Sequence, residues 1–186
     1  MKNHDIISTL PESLQTEISL HLNQHLISKV NFLNFSSPNF IIDIVKKLKP
    51  LLCMPGNTIV REGEIANEMF FIQMGEVQVV ASDGKTPIAL LREGAFFGEI
   101  GVILTGRRTV SVIATKICVL QVLTKEDFDE LCKVYKGEYN YLRKVAKQRM
   151  QIIDPEDLLA QKPDEGSYAK RLLMNKPSPN AAKMLQ

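Results

Sequence analysis

Between Pro50 and Leu123 the sequence runs as short apolar or alternating stretches, interrupted every six to twelve residues by a turn signal. Pro55-Gly56 precedes TIVR and Glu62-Gly63 follows it, Met74-Gly75 separates EMFFIQ from EVQVVA, Asp83-Gly84 comes next, and Glu93-Gly94 stands before AFFGEI. Such dipeptides supply the backbone freedom that tight turns need. The spacing predicts about eight short antiparallel strands. That number in roughly 75 residues predicts a sandwich or jelly roll, which protects its sheet edges by folding back on itself.

Helical texture lies on both sides. Residues 11 to 30 read as helical, with Pro11 suited to a first helical position and Leu14, Ile18, Leu22, Leu26, Ile27 and Val30 at helical spacing, with room for a break inside. SSPNFIIDIVKKLK has a clearer start: Ser37 as N-cap, Pro38 at the first position, and Phe40, Ile41, Ile44, Val45 and Leu48 on one face. Lys46, Lys47 and Lys49 suit the negative end of its dipole. After the strands, TKEDFDELCKVY offers Thr124 as N-cap with Asp127 three residues on, and Phe128, Leu131, Cys132 and Tyr135 as the buried stripe. A last helix is expected from about Glu138 to Ile153, carrying Tyr139, Leu142, Val145, Ala146, Arg149 and Ile152, with Pro155 stopping it. The fold class is therefore α+β, an antiparallel eight-stranded β-roll (jelly roll) flanked by N-terminal and C-terminal α-helices. Residues 155–186 are polar and proline-punctuated and read as a loosely ordered tail.

Composition removes several function classes. Lys plus Arg number 23 against 21 Asp plus Glu, and a formal charge of +2 gives no electrostatic case for binding nucleic acid or an anionic membrane. The most apolar run, VSVIATKICVLQVL, is broken by Lys116 and Gln121, and MKNHDIISTL lacks the layout of a secretory signal, so the sequence as given predicts a soluble chain. Cys53, Cys118 and Cys132 lie far apart without C-x-x-C spacing, which argues against a disulfide framework or zinc site and fits a reducing, intracellular setting. All three histidines, His4, His21 and His25, fall in the first 25 residues. A metal-dependent enzyme built on such a roll needs two or three inward histidines that the strands do not have. No catalytic residue, metal or cofactor is expected. His21 and His25, four apart, read as a solvated helix face, and Met69, Met74 and Met150 as core filler. A DNA-binding helix-turn-helix of roughly 60 to 70 residues does not fit after Ile153.

The chemistry concentrates in FFGEIGVILTGRRTVSV, residues 96 to 112. Gly98 lets backbone approach a ligand closely, and the free N–H groups at the start of the short apolar turn Ile100–Leu104 make an anion site. An arginine of the pair Arg107 and Arg108 supplies the opposite charge. A bare phosphate site is at odds with Glu99, whose carboxylate repels phosphate and is costly when buried unpaired. A ligand with an anionic end and a hydroxyl nearby satisfies both, and a sugar phosphate fits.

FGEI followed by RRT, inside an eight-strand roll flanked by helices, resembles the phosphate-binding cassette of cyclic nucleotide-binding domains, over residues 30 to 153 or so. The resemblance implies that Glu99 accepts the ribose 2′-hydroxyl, that Gly98 and the amides of Ile100 and Gly101 face the cyclic phosphate, and that Arg108 pairs with its charge. It implies hydroxyl contacts from Thr109 to the phosphate and to a syn guanine, with Val110 beside it, and places Arg149 over the purine with Ile152 and Ile153 near it. LPESLQTEISLHLNQHLISKV resembles the distal C-linker of pacemaker and cyclic nucleotide-gated channels, and GRRTVSV their GRRTA-type ending. Two positions depart from those channels: Ile152, where pacemaker channels tend to be basic, and Ile153, near the acidic residue that favours cGMP. The implied division is residues 1–35 as distal C-linker helices, 36–154 as the nucleotide-binding domain and 155–186 as tail. The implied function is a cAMP or cGMP sensor, the cytoplasmic domain of a cation channel tetrameric at full length, the fragment alone being a monomer. The alternative is a domain that binds no nucleotide and fills its pocket with its own tail through Leu158 and Leu159.

Overall fold

The computed structural model describes residues 9–84 and 86–153, with side chains as far as Gln151. The expected tail, and the expectation that Leu158 and Leu159 enter the pocket, lie outside the described residues. The stretch read as helical from residue 11 is two helices, α1 (Glu12–Leu22) and α2 (Gln24–Lys29), parted at Asn23, whose Nδ2 donates to the Ser19 carbonyl at 2.9 Å. Pro11 precedes the helix with ψ at 145°, one place earlier than expected. A single turn, α3 (Asn31–Asn34), leads to α4 (Pro38–Lys47), which buries Phe40, Ile44 and Val45.

Eight strands follow, all antiparallel, in two four-stranded sheets. One sheet runs β1 (Lys49–Cys53), β8 (Cys118–Thr124), β3 (Glu68–Met74) and β6 (Phe96–Phe97); the other runs β2 (Thr58–Val60), β7 (Ser111–Ala114), β4 (Glu76–Val80) and β5 (Pro87–Arg92). This is the eight-stranded α+β roll that the turn spacing predicts. The alternation of side chains along β3 explains why the core is double. Phe70 and Ile72 point between the sheets with Val77 and Leu120, whereas Met69 and Phe71 alternate to the opposite face, where Leu26, Leu33, Phe40, Phe128 and Leu142 cover them. Met69 is core filler as expected, but Met74 and Met150 are exposed, because neither the far end of β3 nor the outer side of the last helix is covered.

The described residues end with α5 (Lys125–Val134) and α6 (Lys136–Ile153). Thr124 caps α5 as its sequence implies: Oγ1 accepts from the Asp127 amide at 3.2 Å and donates to Asp127 Oδ2 at 2.8 Å. Thr124→Ala is expected to lower stability by about 1 kcal/mol, measured by urea unfolding, with no change in slope. Polar ties join these helices to α4. Lys47 Nζ lies 2.9 Å from Asp127 and 2.7 Å from Glu130, and Tyr135 donates to Asp43 at 2.6 Å. The Asp43 bond, aided by burial, pushes the Tyr135 hydroxyl up to about 12. For Asp127 burial acts upward, and the bonds from Lys47 and Thr124 outweigh it, leaving the carboxyl below its ordinary value. Among the described residues no helix is long and apolar enough to cross a membrane.

Candidate nucleotide site

The connection from β6 to β7 builds the site. Gly98 follows Phe97 with φ at +86°, a conformation L side chains rarely adopt, and a Cβ there would sit 2.8 Å from Arg108 Nη1. Glycine at this place thus lets the arginine close against the backbone. The turn that follows is one of wide pitch, Gly101–Thr105, closed by the Gly106 amide on the Gly101 carbonyl at 2.8 Å. A Cβ on Gly101 would meet Ala66 at 2.5 Å, so this glycine is required by packing rather than by φ. Helical backbone begins two residues before this turn, at Glu99, and the amides of Glu99, Ile100 and Gly101 precede the first helical bond, from the Val102 amide to the Gly98 carbonyl at 3.3 Å. Glu99, Ile100 and Gly101 are buried.

Arg108 is 7% exposed and its Nη1 donates to the Glu68 carbonyl at 2.6 Å. Its Nη2 stands 3.9 Å from the Glu68 carboxylate, and the guanidinium lies 5.5 Å from the Phe70 ring centre. Burial lowers its proton affinity, with Glu68 and Glu64 opposing. Nη1 also lies 3.5 Å from the Gly98 carbonyl, so contacts through this one nitrogen fix the plane of the group and leave the donors on its other nitrogens for an anion. Arg107, by contrast, is exposed, with Nη1 on the Gly63 carbonyl at 2.8 Å.

Glu99 is 2% exposed, and Arg149 of α6 reaches it at 2.7 Å from Nη1 to Oε1. Arg149 also donates to the Phe96 carbonyl at 2.9 Å and lies 4.4 Å from the Phe96 ring centre. This resolves the conflict between a carboxylate and an anion site: the buried charge of Glu99 has a cation of its own, separate from Arg108. The pair engages Oε1, and Oε2 makes no hydrogen bond among the described residues. The guanidinium of Arg149, which the resemblance places over the purine, is directed to Glu99 and Phe96.

These groups share one pocket. Gly98, Glu99, Ile100, Gly101, Arg108, Thr109, Val110 and Arg149 line it together with Val60, Val79, Ile88, Leu91, Phe97 and Val112. Thr109 and Val110 are half-buried at its edge. Ile152 and Ile153 belong to the last turn of α6, and their side chains lie outside the described residues. Glu68, Phe70 and Phe96, which hold the two arginines, and the apolar wall from β2, β4, β5 and β7 are not marked by any motif. Their signal is carried by the inward positions of alternating strands. His25 is exposed and meets Glu93 at 3.2 Å, and no metal-holding cluster occurs among the described residues.

Residues 52–135 match the family of the cyclic nucleotide-binding domain. The chain carries a cyclic nucleotide-binding domain. It is 31% identical over 150 residues to human cyclic nucleotide-gated channel beta-1, covering 78% of this chain and 12% of that protein. It is 34% identical over 147 residues to human cyclic nucleotide-gated channel beta-3, covering 77% and 18%, and 33% identical over 162 residues to human cyclic nucleotide-gated channel alpha-2, covering 83% and 24%. The chain thus spans less than a quarter of the length of these curated relatives.

Proposed function

We propose that this cyclic nucleotide-binding domain is the intracellular sensor of a ligand-gated or ligand-modulated cation channel, a regulatory module without catalysis of its own, and that cAMP or cGMP is its ligand. The observation that carries the reading is the pair Glu99 and Arg108, both buried in the wall of one pocket. The first offers Oε2 as acceptor for a ribose 2′-hydroxyl, the second a fixed cation for a cyclic phosphate. Thr109 adds a hydroxyl, and the apolar strand wall suits the face of a purine. No nucleic acid or resident cofactor enters this scheme.

The lid of the pocket is α6, which brings Arg149 to Glu99. It is tied to α4 through Ser37 and Glu138, and α5 is tied to the same helix through Lys47 and Tyr135. Displacement of α6 therefore loads α4 and, through it, the helices before the roll. A ligand shifts the lid by its differential affinity for the two arrangements, and by no more than that. In the whole protein, residues 1–35 would relay this motion toward a pore, in a tetramer, from a domain spanning residues 36–154.

Calorimetric titration of the purified chain tests the reading. Both nucleotides are expected to bind, with cAMP narrowly ahead because the acidic side chain lining the described pocket, Glu99, is assigned to the ribose and none is left for guanine. No heat with either at millimolar concentration overturns it.

A further inference from the structure

Ser37 stands at the N-cap position of α4, yet its side chain makes no capping bond to that helix. Its Oγ donates instead to Glu138 Oε1 at 2.8 Å, and its backbone N–H points to the same oxygen at 3.2 Å. The anion at the start of α4 is therefore a carboxylate borrowed from α6. Burial acts to raise the Glu138 carboxyl, and the bonds from Ser37 outweigh it and hold it below its ordinary value. The contact joins residues 101 apart in sequence and sits where the lid begins. Ser37 and Pro38 are exposed, and Phe35–Ser37 is non-helical. An open groove lined by Phe35, Ser36, Gly137, Glu138 and Tyr141 runs beside them.

We propose that Ser37 is a phosphoacceptor, and that its phosphorylation detaches the start of α6 from α4. The surface supplies what a kinase requires: an exposed hydroxyl on irregular backbone, followed by proline, the pair that proline-directed protein kinases take. The co-substrate is a nucleoside triphosphate. The bond from its γ-phosphorus to the bridging oxygen breaks, a bond from that phosphorus to Oγ forms, the diphosphate leaves, and the hydroxyl proton passes to the kinase's base. The product no longer has the proton that Ser37 donates to Glu138. It carries about −1.5 to −2 charges against that carboxylate, and it is the stronger anion for the N-terminus of α4. All three effects expel Glu138. Lys47, Asp43 and Tyr135 still hold α5 to α4, so the release is confined to the beginning of the lid.

The effect does not require that the pocket bind a nucleotide, so its test is independent of the proposed function. Incubation of the purified chain with a proline-directed serine/threonine kinase and ATP is expected to place phosphate on Ser37, mapped by mass spectrometry, and Pro38→Ala is expected to abolish it. With phosphoserine genetically encoded at this position in the full chain, amide exchange across residues 136–142 is expected to accelerate about tenfold. Adding Glu138→Gln, which removes the like charge, should return exchange to within about threefold of the unmodified chain, where Ser37→Ala alone also leaves it. A folded chain that takes no phosphate at Ser37 overturns the proposal. So does unchanged exchange in the phosphoserine chain, or acceleration that Glu138→Gln leaves in place.

Discussion

Arg108→Ala is expected to weaken binding of cAMP and cGMP by about 30- to 3,000-fold, while Arg107→Ala changes it by less than about fivefold. The cyclic phosphate carries one charge that must leave water, and only a charge-assisted partner offsets that loss. Truncating one member of a desolvated charge pair typically costs about 2 to 5 kcal/mol, and about 1.4 kcal/mol is a tenfold change in affinity. Arg108 meets the conditions: it is 7% exposed, fixed by the Glu68 carbonyl at 2.6 Å and set against Phe70. Arg107 is exposed and bonded to the Gly63 carbonyl on the far side of the loop, so its loss costs less than about 1 kcal/mol. Calorimetry on both variants, each checked for folding, measures the difference. A larger loss from Arg107→Ala would reverse the assignment of the two arginines and remove the role given to Thr109.

The contrast also bears on what the sequence discloses. Glycine-punctuated spacing disclosed the strands because each turn is local, and the N-caps of α4 and α5 stand where Ser37 and Thr124 do for the same reason. The order of Gly98, Glu99 and Arg108 along one short segment made the anion site legible. What remained hidden depends on contacts between distant segments. EMFFIQ reads as a plain apolar run because β3 is buried on both faces, by the second sheet and by the helices, and periodicity does not report which partner covers which face. Glu68 anchors Arg108 across 40 residues, through a backbone carbonyl that any residue would offer. The position of the break, Asn23, and the contact of Ser37 with Glu138 are likewise invisible in hydrophobic spacing, since polar side chains at a helix end suit a cap, a turn or a remote partner equally.

Arg149 is the case where the difference matters most, because its partner is a buried carboxylate. Glu99 is 2% exposed and its side-chain cation is 13% exposed, so Arg149→Ala leaves a charge uncompensated in the wall of the pocket. Removing one partner of a buried pair typically costs about 3 to 5 kcal/mol. The lid role proposed for α6 sets a ceiling on this loss: lifting the helix would let water reach Glu99, and the cost then becomes that of releasing the end of the helix. Arg149→Ala is therefore expected to speed amide exchange across residues 143–151 by about a hundredfold or more, with little change in the strands. Glu99→Gln in the same chain removes the stranded charge and is expected to restore most of that protection. Nucleotide affinity follows a different rule: Glu99→Gln loses the charged acceptor proposed for the ribose hydroxyl, so the double variant is expected to regain the closed lid and still bind both nucleotides weakly. Stability and binding thus separate at one carboxylate. If the double variant binds as tightly as the unaltered chain, Glu99 is a counter-ion for the lid and has no part in holding the ligand.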